Sequence, residues 1–272
     1  MGVGTIAIIG CGTMGEAILK GLLNTESVSP QCLFVTTRRK ERAAALAEKY
    51  GVHASVDNEK AVREASLVVL GVKPQMALDV LKTEALQRQL DQKVLISICA
   101  GLGLDQMNAV LPRTALIRAM PNTPCLIGEG MTVLAAGPRA TDSHVAMAQE
   151  IFAAVGRTRI LEEKHLDAVT ALSGSGPAFG FVMMEALADG GVMMGLPRDV
   201  AVELSAQTMQ GAARLILQTG MHPSALKDDV TTPAGCTIAG LLTMEDGRIR
   251  STLARAIQEA TTVAAGLGKK GA

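Results

Sequence analysis

Aromatic side chains are nearly missing: 272 residues hold no Trp, one Tyr and four Phe, 2% in all. Recognition of nucleic acid by base stacking has too few rings to work with. An excess of either charge is missing too, because 26 Lys and Arg balance 26 Asp and Glu, for a formal net charge of zero. A general nucleic-acid binder shows a basic excess, and a protein held on anionic lipid shows a polybasic patch. The five cysteines (Cys11, Cys32, Cys99, Cys125, Cys236) are odd in number and include no CxxC pair. They read as reduced thiols of an intracellular protein, with neither a disulfide framework nor a metal site. Long apolar runs are also lacking. Pro177–Met194 is broken by Glu185, Asp189 and two adjacent glycines, short of the roughly 20 apolar residues of a membrane span. Val3–Ile9 runs into glycines with no basic region before it, so no secretory signal is read. The expectation is a cytoplasmic protein with no membrane and no nucleic-acid partner.

What is present is aliphatic: 48% of residues are apolar, with 28 Gly and 14 Met. The length suggests about two domains. Short β-branched runs alternate with helix-like stretches through the first part, the pattern of a parallel sheet flanked by helices. The expected strands are Thr5–Ile9, Cys32–Thr36, His53–Ala54, Leu67–Gly71, Val94–Cys99, Ala115–Met120, Thr132–Ala136 and Thr158–Leu161. From His165 onward only helical periodicity remains, cut by Gly and Pro; Pro197 and Pro223 mark helix starts and Gly51 and Gly220 helix stops. The reading is α/β: a Rossmann-like dinucleotide-binding domain over residues 1–163, then an all-helical domain over 164–272. In the helical part Phe179, Phe181, Val182, Met183, Met184, Leu187, Val192, Met193 and Met194 point all round one helix. Such a helix must be buried on every side. A second copy of the chain is the simplest cover, against a central helix in a monomeric bundle.

Gly10-Cys11-Gly12-Thr13-Met14-Gly15 follows the first strand and opens a helix. Gly10 allows the tight turn, Gly12 the approach of a pyrophosphate and Gly15 close packing of helix on strand, with phosphates on the helix N-terminus. An NAD site places an acid at the end of the second strand. Here Thr36-Thr37-Arg38-Arg39-Lys40 offers hydroxyls and guanidinium groups instead, which suits a 2′-phosphate. The bland alternative is a solvated helix start. His53, His144 and His222 read as surface or capping residues, and His165 as structural.

The run Leu172-Ser173-Gly174-Ser175-Gly176-Pro177-Ala178-Phe179, then Glu185-Ala186-Leu187-Ala188-Asp189-Gly190, closely resembles pyrroline-5-carboxylate reductases. So do Asp229-Val230-Thr231-Thr232-Pro233-Ala234-Gly235-Cys236-Thr237-Ile238-Ala239-Gly240, Gly71-Val72-Lys73-Pro74-Gln75 and Arg118-Ala119-Met120-Pro121-Asn122-Thr123-Pro124. The resemblance spans the chain with its motifs in order. It implies reduction of 1-pyrroline-5-carboxylate to L-proline with NADP(H), or NAD(H) as the alternative, by an interlocked helical dimer often assembled into a decamer. Carried over residue by residue, it puts Thr237 at the imine nitrogen. Thr232, Gly235, Cys236, Ser175 and Gly176 are expected about the substrate. The cofactor is expected on Gly10, Gly12, Thr13, Met14, Gly15, Thr37, Arg38, Arg39, Asn58, Gly71, Val72, Lys73, Ala100 and Asn122, the last at the nicotinamide. Where the family carries Ser-Pro-Gly-Gly this chain has Thr232-Pro233-Ala234-Gly235; Ala does not take positive φ as Gly does, so the loop should survive if position 234 has negative φ. A 3-hydroxyacid dehydrogenase would need a Lys on the long helix, and Ser173–Met194 has none. A non-catalytic cofactor sensor would have no use for the Thr232–Thr237 loop.

Overall fold

The computed structural model describes residues 4–267. Eight strands form one sheet in the order β3-β2-β1-β4-β5-β6-β7-β8. They are β1 (Ile6–Ile9), β2 (Leu33–Thr36), β3 (His53–Ser55), β4 (Leu67–Leu70), β5 (Val94–Ser97), β6 (Ala115–Met120), β7 (Gly130–Ala136) and β8 (Gly156–Ile160). All eight lie where the sequence places them. Between them run α1 (Thr13–Asn24), α2 (Lys40–Tyr50), α3 (Asn58–Glu64), α4 (Pro74–Leu81), α5 (Glu84–Leu90), α6 (Leu104–Val110) and α7 (Asp142–Ala153). After β8 come α8 (Leu166–Val169), a π-helical turn (Thr170–Gly174), α9 (Gly176–Met193), α10 (Arg198–Thr219), α11 (Pro223–Val230), α12 (Cys236–Asp246) and α13 (Ile249–Leu267).

Every paired strand is parallel except β6 and β7, which pair antiparallel with Ile117 opposite Ala136 and Met120 opposite Val133. The expectation of a parallel sheet is corrected here. The link 121–129 is shorter than the dozen or more residues a parallel crossover needs, so the chain can only turn back beside β6. The sheet is covered on both faces, and its strands show it in their alternation. Ile6 and Ile8 of β1 join a core with α1, α2 and α7, while Ala7 and Ile9 join the opposite core with α3 to α6. Strands buried on both sides read as continuous apolar runs.

The change from strands to helices comes after Ile160, but the compact units divide later. One comprises 4–175 with 259–267, and the other 176–258. The physical reason for the offset is Arg118. This β6 guanidinium is 7% exposed and pairs with Glu163 Oε1 at 3.2 Å and Asp167 Oδ1 at 3.4 Å. Glu163 Oε1 also accepts the Leu104 N–H at 2.6 Å. The first turns after β8 are thereby tied to the sheet.

The 176–258 unit has almost no interior of its own. Only Ala188, Ala201 and Ser205 are buried in it, and a Cβ on Gly191 would lie 3.2 Å from Ala201 Cβ, so α9 and α10 meet along small residues. Phe181, Val182, Leu187, Met193 and Met194 are at least half exposed in the single chain, as expected of a helix awaiting a covering surface. Three histidines fall as read: Nδ1 of His144 and of His222 caps a helix start, and His53 stacks on Phe34 at the surface. His165 is exposed.

The first turn of α1 is stapled to α2 through Glu16. Its carboxylate pairs with Arg42, accepts from Lys49 Nζ at 3.1 Å and from Tyr50 Oη at 2.8 Å. Burial pushes this carboxyl up, but the hydrogen bonds from Tyr50, Lys49 and Arg42 and the Arg42 charge outweigh it and hold the pKa at about 2. A carboxylate depressed on folding adds stability that is fully present above its unfolded pKa and is lost as pH falls towards the folded one. Glu16→Gln should therefore lower unfolding stability at neutral pH by about 1 kcal/mol, because solvent screens these partly exposed pairs. In urea titrations at fixed protein concentration that gap should close as pH drops from about 5 towards 2. A gap independent of pH would contradict the staple.

Candidate active site

Because β1 to β6 run parallel, their C-terminal ends share one edge of the sheet, where ligands bind in doubly wound folds. Sheet order reverses between β1 and β4, and Gly10 and Val72 meet there. Gly10 has φ +79°, and a Cβ on it would lie 2.6 Å from Val72 Cγ1 and 2.8 Å from Val72 N. Gly71, beside it, sends its N–H to Ile9 O at 2.8 Å. Gly15 packs on β1, where an added Cβ would lie 3.1 Å from Ile8 Cγ2. Gly12 is the reverse case: it is exposed and a Cβ there would meet nothing within 4 Å.

The backbone donors of the turn sort themselves. Gly10 N–H goes to Thr36 Oγ1 (3.2 Å), Cys11 N–H to Thr36 O (2.7 Å) and Gly12 N–H to Gly10 O (2.7 Å). The uncapped donors are the first-turn N–H groups of Thr13, Met14 and Gly15, which helix geometry leaves without an internal partner. An open glycine before uncapped donors fits a pyrophosphate.

At the end of the second strand are two hydroxyls that have partners within the protein. Thr36 is 1% exposed and its hydroxyl donates to Asn58 Oδ1 at 2.7 Å, while Thr37 Oγ1 donates to Arg39 O at 2.8 Å. The Thr36 hydroxyl is thereby engaged inside the protein, and the Thr37 hydroxyl, nearer the surface, in a local bond two residues along. The exposed Arg38 and Arg39 remain. Sequence reasoning missed Thr36 as the lock joining the glycine turn, β2 and α3; a lone polar residue ending an apolar strand was the available signal.

Lys73 is exposed at the N-cap of α4, and Ala100 is half-buried beyond β5. Asn122 follows β6, but its amide is committed to Ser173 and Met131. Cys11 sits inside the glycine turn, where burial first and the Glu16 charge second, opposed by Arg42, push its thiol up to about 12. Burial likewise raises Cys99 to about 11. Neither thiol is a nucleophile at neutral pH.

The residues expected at the substrate belong to both compact units. Ser175 ends the first; Gly176 opens α9 in the second. Thr232, Gly235, Cys236 and Thr237 form one loop and helix start in the second. Gly235 is the N-cap of α12, with no side chain capping it, so the N–H groups of Cys236 and Thr237 are unpartnered donors. The Gly235 N–H itself goes to Thr232 O at 3.1 Å, and a Cβ on Gly235 would lie 2.5 Å from Thr232 Oγ1. Thr237 is half-buried and Cys236 exposed.

Ala234 does not have negative φ: it stands at +58°, so the loop is kept under strain rather than by an easy backbone. The loop keeps the left-handed turn that a glycine supplies freely, and Ala adopts it under strain of about 1–2 kcal/mol. Ala234→Gly should relieve part of this and raise unfolding stability by about 0.5–1 kcal/mol, after allowing for the freer unfolded chain. Ala234→Val should lower it. Thermal melts that rank Val above Gly at this position would contradict the assigned turn.

Comparison with known proteins gives the chain's relatives. The family model for pyrroline-5-carboxylate reductase dimerisation matches residues 163–267, and that for coenzyme F420-dependent NADP oxidoreductase matches residues 5–101. The pyrroline-5-carboxylate reductase of Schizosaccharomyces pombe is 41% identical over 96% of this chain and 98% of its own. That of Synechocystis is 42% identical over 97% and 98%. Among solved structures, the Coxiella burnetii pyrroline-5-carboxylate reductase matches with a TM-score of 0.92 and 33% identity, covering 97% of this chain and 98% of its own. The Plasmodium falciparum pyrroline carboxylate reductase, solved with NADP bound, matches at 0.87 and 29%, covering 98% and 99%. An imine reductase from Myxococcus stipitatus, at 20% identity and a TM-score of 0.55, shares the fold alone. With relatives more than 40% identical along nearly the whole length of both chains, this chain belongs to the pyrroline-5-carboxylate reductase family.

Proposed function

We propose that this protein reduces 1-pyrroline-5-carboxylate to L-proline, the last step of proline biosynthesis, with NADPH preferred to NADH. The observation that carries the reading is the uncapped start of α12 at Gly235, set on a loop with two threonine hydroxyls, in a chain of this family. Support for NADPH is the absence of an acid at the end of β2 and the exposed Arg38 and Arg39 beyond it. The reading gives residues 1–163 to the cofactor and 164–272 to dimerisation and substrate. It includes an interlocked homodimer, assembly into a decamer and a cytoplasmic location.

The nicotinamide, when bound, supplies the hydride. Thr13, Met14 and Gly15 hold the pyrophosphate through backbone N–H groups, and Arg38 and Arg39 hold the 2′-phosphate. Gly71, Val72, Lys73 and Ala100 line the same edge, and Asn58 stands beside Thr36. The N–H groups of Cys236 and Thr237, with the Thr232 hydroxyl, bind the substrate carboxylate, and Ser175 and Gly176 flank it. A protonated cyclic imine is already an electrophile. As its carbon takes the hydride, its nitrogen gains a lone pair, and the Thr237 hydroxyl donates to that nitrogen. No metal and no nucleophilic side chain is required.

The test is NADPH oxidation on adding the pyrroline. Thr237→Val keeps shape and removes the hydroxyl, and should lower turnover by about 10- to 150-fold, with NADPH affinity nearly unchanged. Replacing Arg38 and Arg39 together with Ala should weaken NADPH about tenfold or more and NADH far less. Wild-type turnover in Thr237→Val, or equal losses for both cofactors in the double variant, would contradict these assignments.

A further inference from the structure

Pro177 leaves a gap in the backbone hydrogen bonding just before α9. An unbroken α-helix would hand the Ser173 carbonyl to the N–H of residue 177. Residue 177 is proline, which has no N–H and whose ring crowds the carbonyl four residues back. The chain answers with the π-helical turn Thr170–Gly174, in which the Ser175 N–H steps back five residues to Thr170 O at 2.9 Å. π-turns inside helices concentrate at functional sites.

The Ser173 carbonyl finds its donor in a residue far away in sequence. Asn122 Nδ2 donates to Ser173 O at 3.2 Å and also reaches Ser173 Oγ at 3.2 Å. The other end of the same amide, Oδ1, accepts the Met131 N–H at 2.9 Å. A backbone N–H can only donate, so the oxygen must face Met131 and the NH2 must face Ser173. Asn122 thus links the end of β6, the start of β7 and the π-turn. Met120 closes the turn from below: a Cβ on Gly174 would lie 2.8 Å from Met120 Cε. Ser175 is the next residue along.

We infer that Asn122 is a positioning residue for the substrate rather than a ligand of the cofactor. Its amide holds the π-turn open at Ser173 and so sets where Ser175 and the first residue of α9 are presented. The link to substrate rests on the function proposed above; the clamp itself does not.

Two variants test it. Asn122→Asp keeps an acceptor for Met131 and sets a negatively charged oxygen where the donor to the Ser173 carbonyl stood. It should lower kcat/KM for the pyrroline about tenfold or more, while the NADPH dissociation constant stays within about twofold of wild type. Pro177→Ala returns an N–H at residue 177 and lets the helix close over the turn. It should keep or raise the melting temperature and still lower kcat/KM for the pyrroline. NADPH affinity falling in step with turnover in Asn122→Asp would make Asn122 a cofactor ligand and overturn the inference. Wild-type kcat/KM in Pro177→Ala would overturn it too, and that variant decides the matter if Asn122→Asp fails to fold. Hydrogen exchange separates the clamp from the function. Asn122→Asp should speed exchange across 170–176 even if the wild-type protein oxidised no NADPH with the pyrroline, and unchanged exchange there would overturn the clamp.

Discussion

The contact between Gly10 and Val72 is the constraint on which the cofactor half of the molecule depends. Two central strands end side by side at the point where sheet order reverses, and the chain leaving β1 must cross the chain leaving β4 at near backbone distance. Only a residue without Cβ and with free access to φ +79° fits there. The crossing aims the first turn of α1 at open space in front of Gly12. Thr36 then fixes the turn by taking the N–H groups of Gly10 and Cys11, and passes the constraint to α3 through Asn58. Glu16 binds the other side of the same turn to α2. The donors left over are those a phosphate can use.

The helical unit works under a different constraint. Three buried residues cannot hold α9 to α12 together by hydrophobic burial within one chain. The dimerisation family model covers this region, and on the proposed function a second copy supplies the apolar surface that the single chain lacks. Stability and assembly are then one quantity, and any melting measurement depends on protein concentration.

Much of this was legible in the sequence because it was written in local patterns. Apolar runs bounded by Gly and Pro placed all eight strands, and helix-end signals such as Gly51, Gly220 and Pro223 stand where such residues belong. The direction of β7 is written in the shortness of the connection before it rather than in the strand's own residues. The sign of φ at Ala234 was not legible, because alanine carries no mark of a left-handed turn inherited from a glycine. Thr36 and Asn122 were visible as polar residues, but their partners, Asn58 and Ser173, lie 22 and 51 residues away. Only the folded sheet brings those pairs together.

On the proposed function, the crossing at Gly10 builds the cofactor site. The chain has no Trp, so NADPH fluorescence can be followed on binding with little protein background. In titrations of wild type and Gly10→Ala, at matched far-ultraviolet circular dichroism and matched light scattering, the variant should bind NADPH about tenfold or more weakly, since the Cβ must displace the Val72 backbone and the left-handed φ is strained. A Gly10→Ala protein that binds NADPH as tightly as wild type would contradict the account.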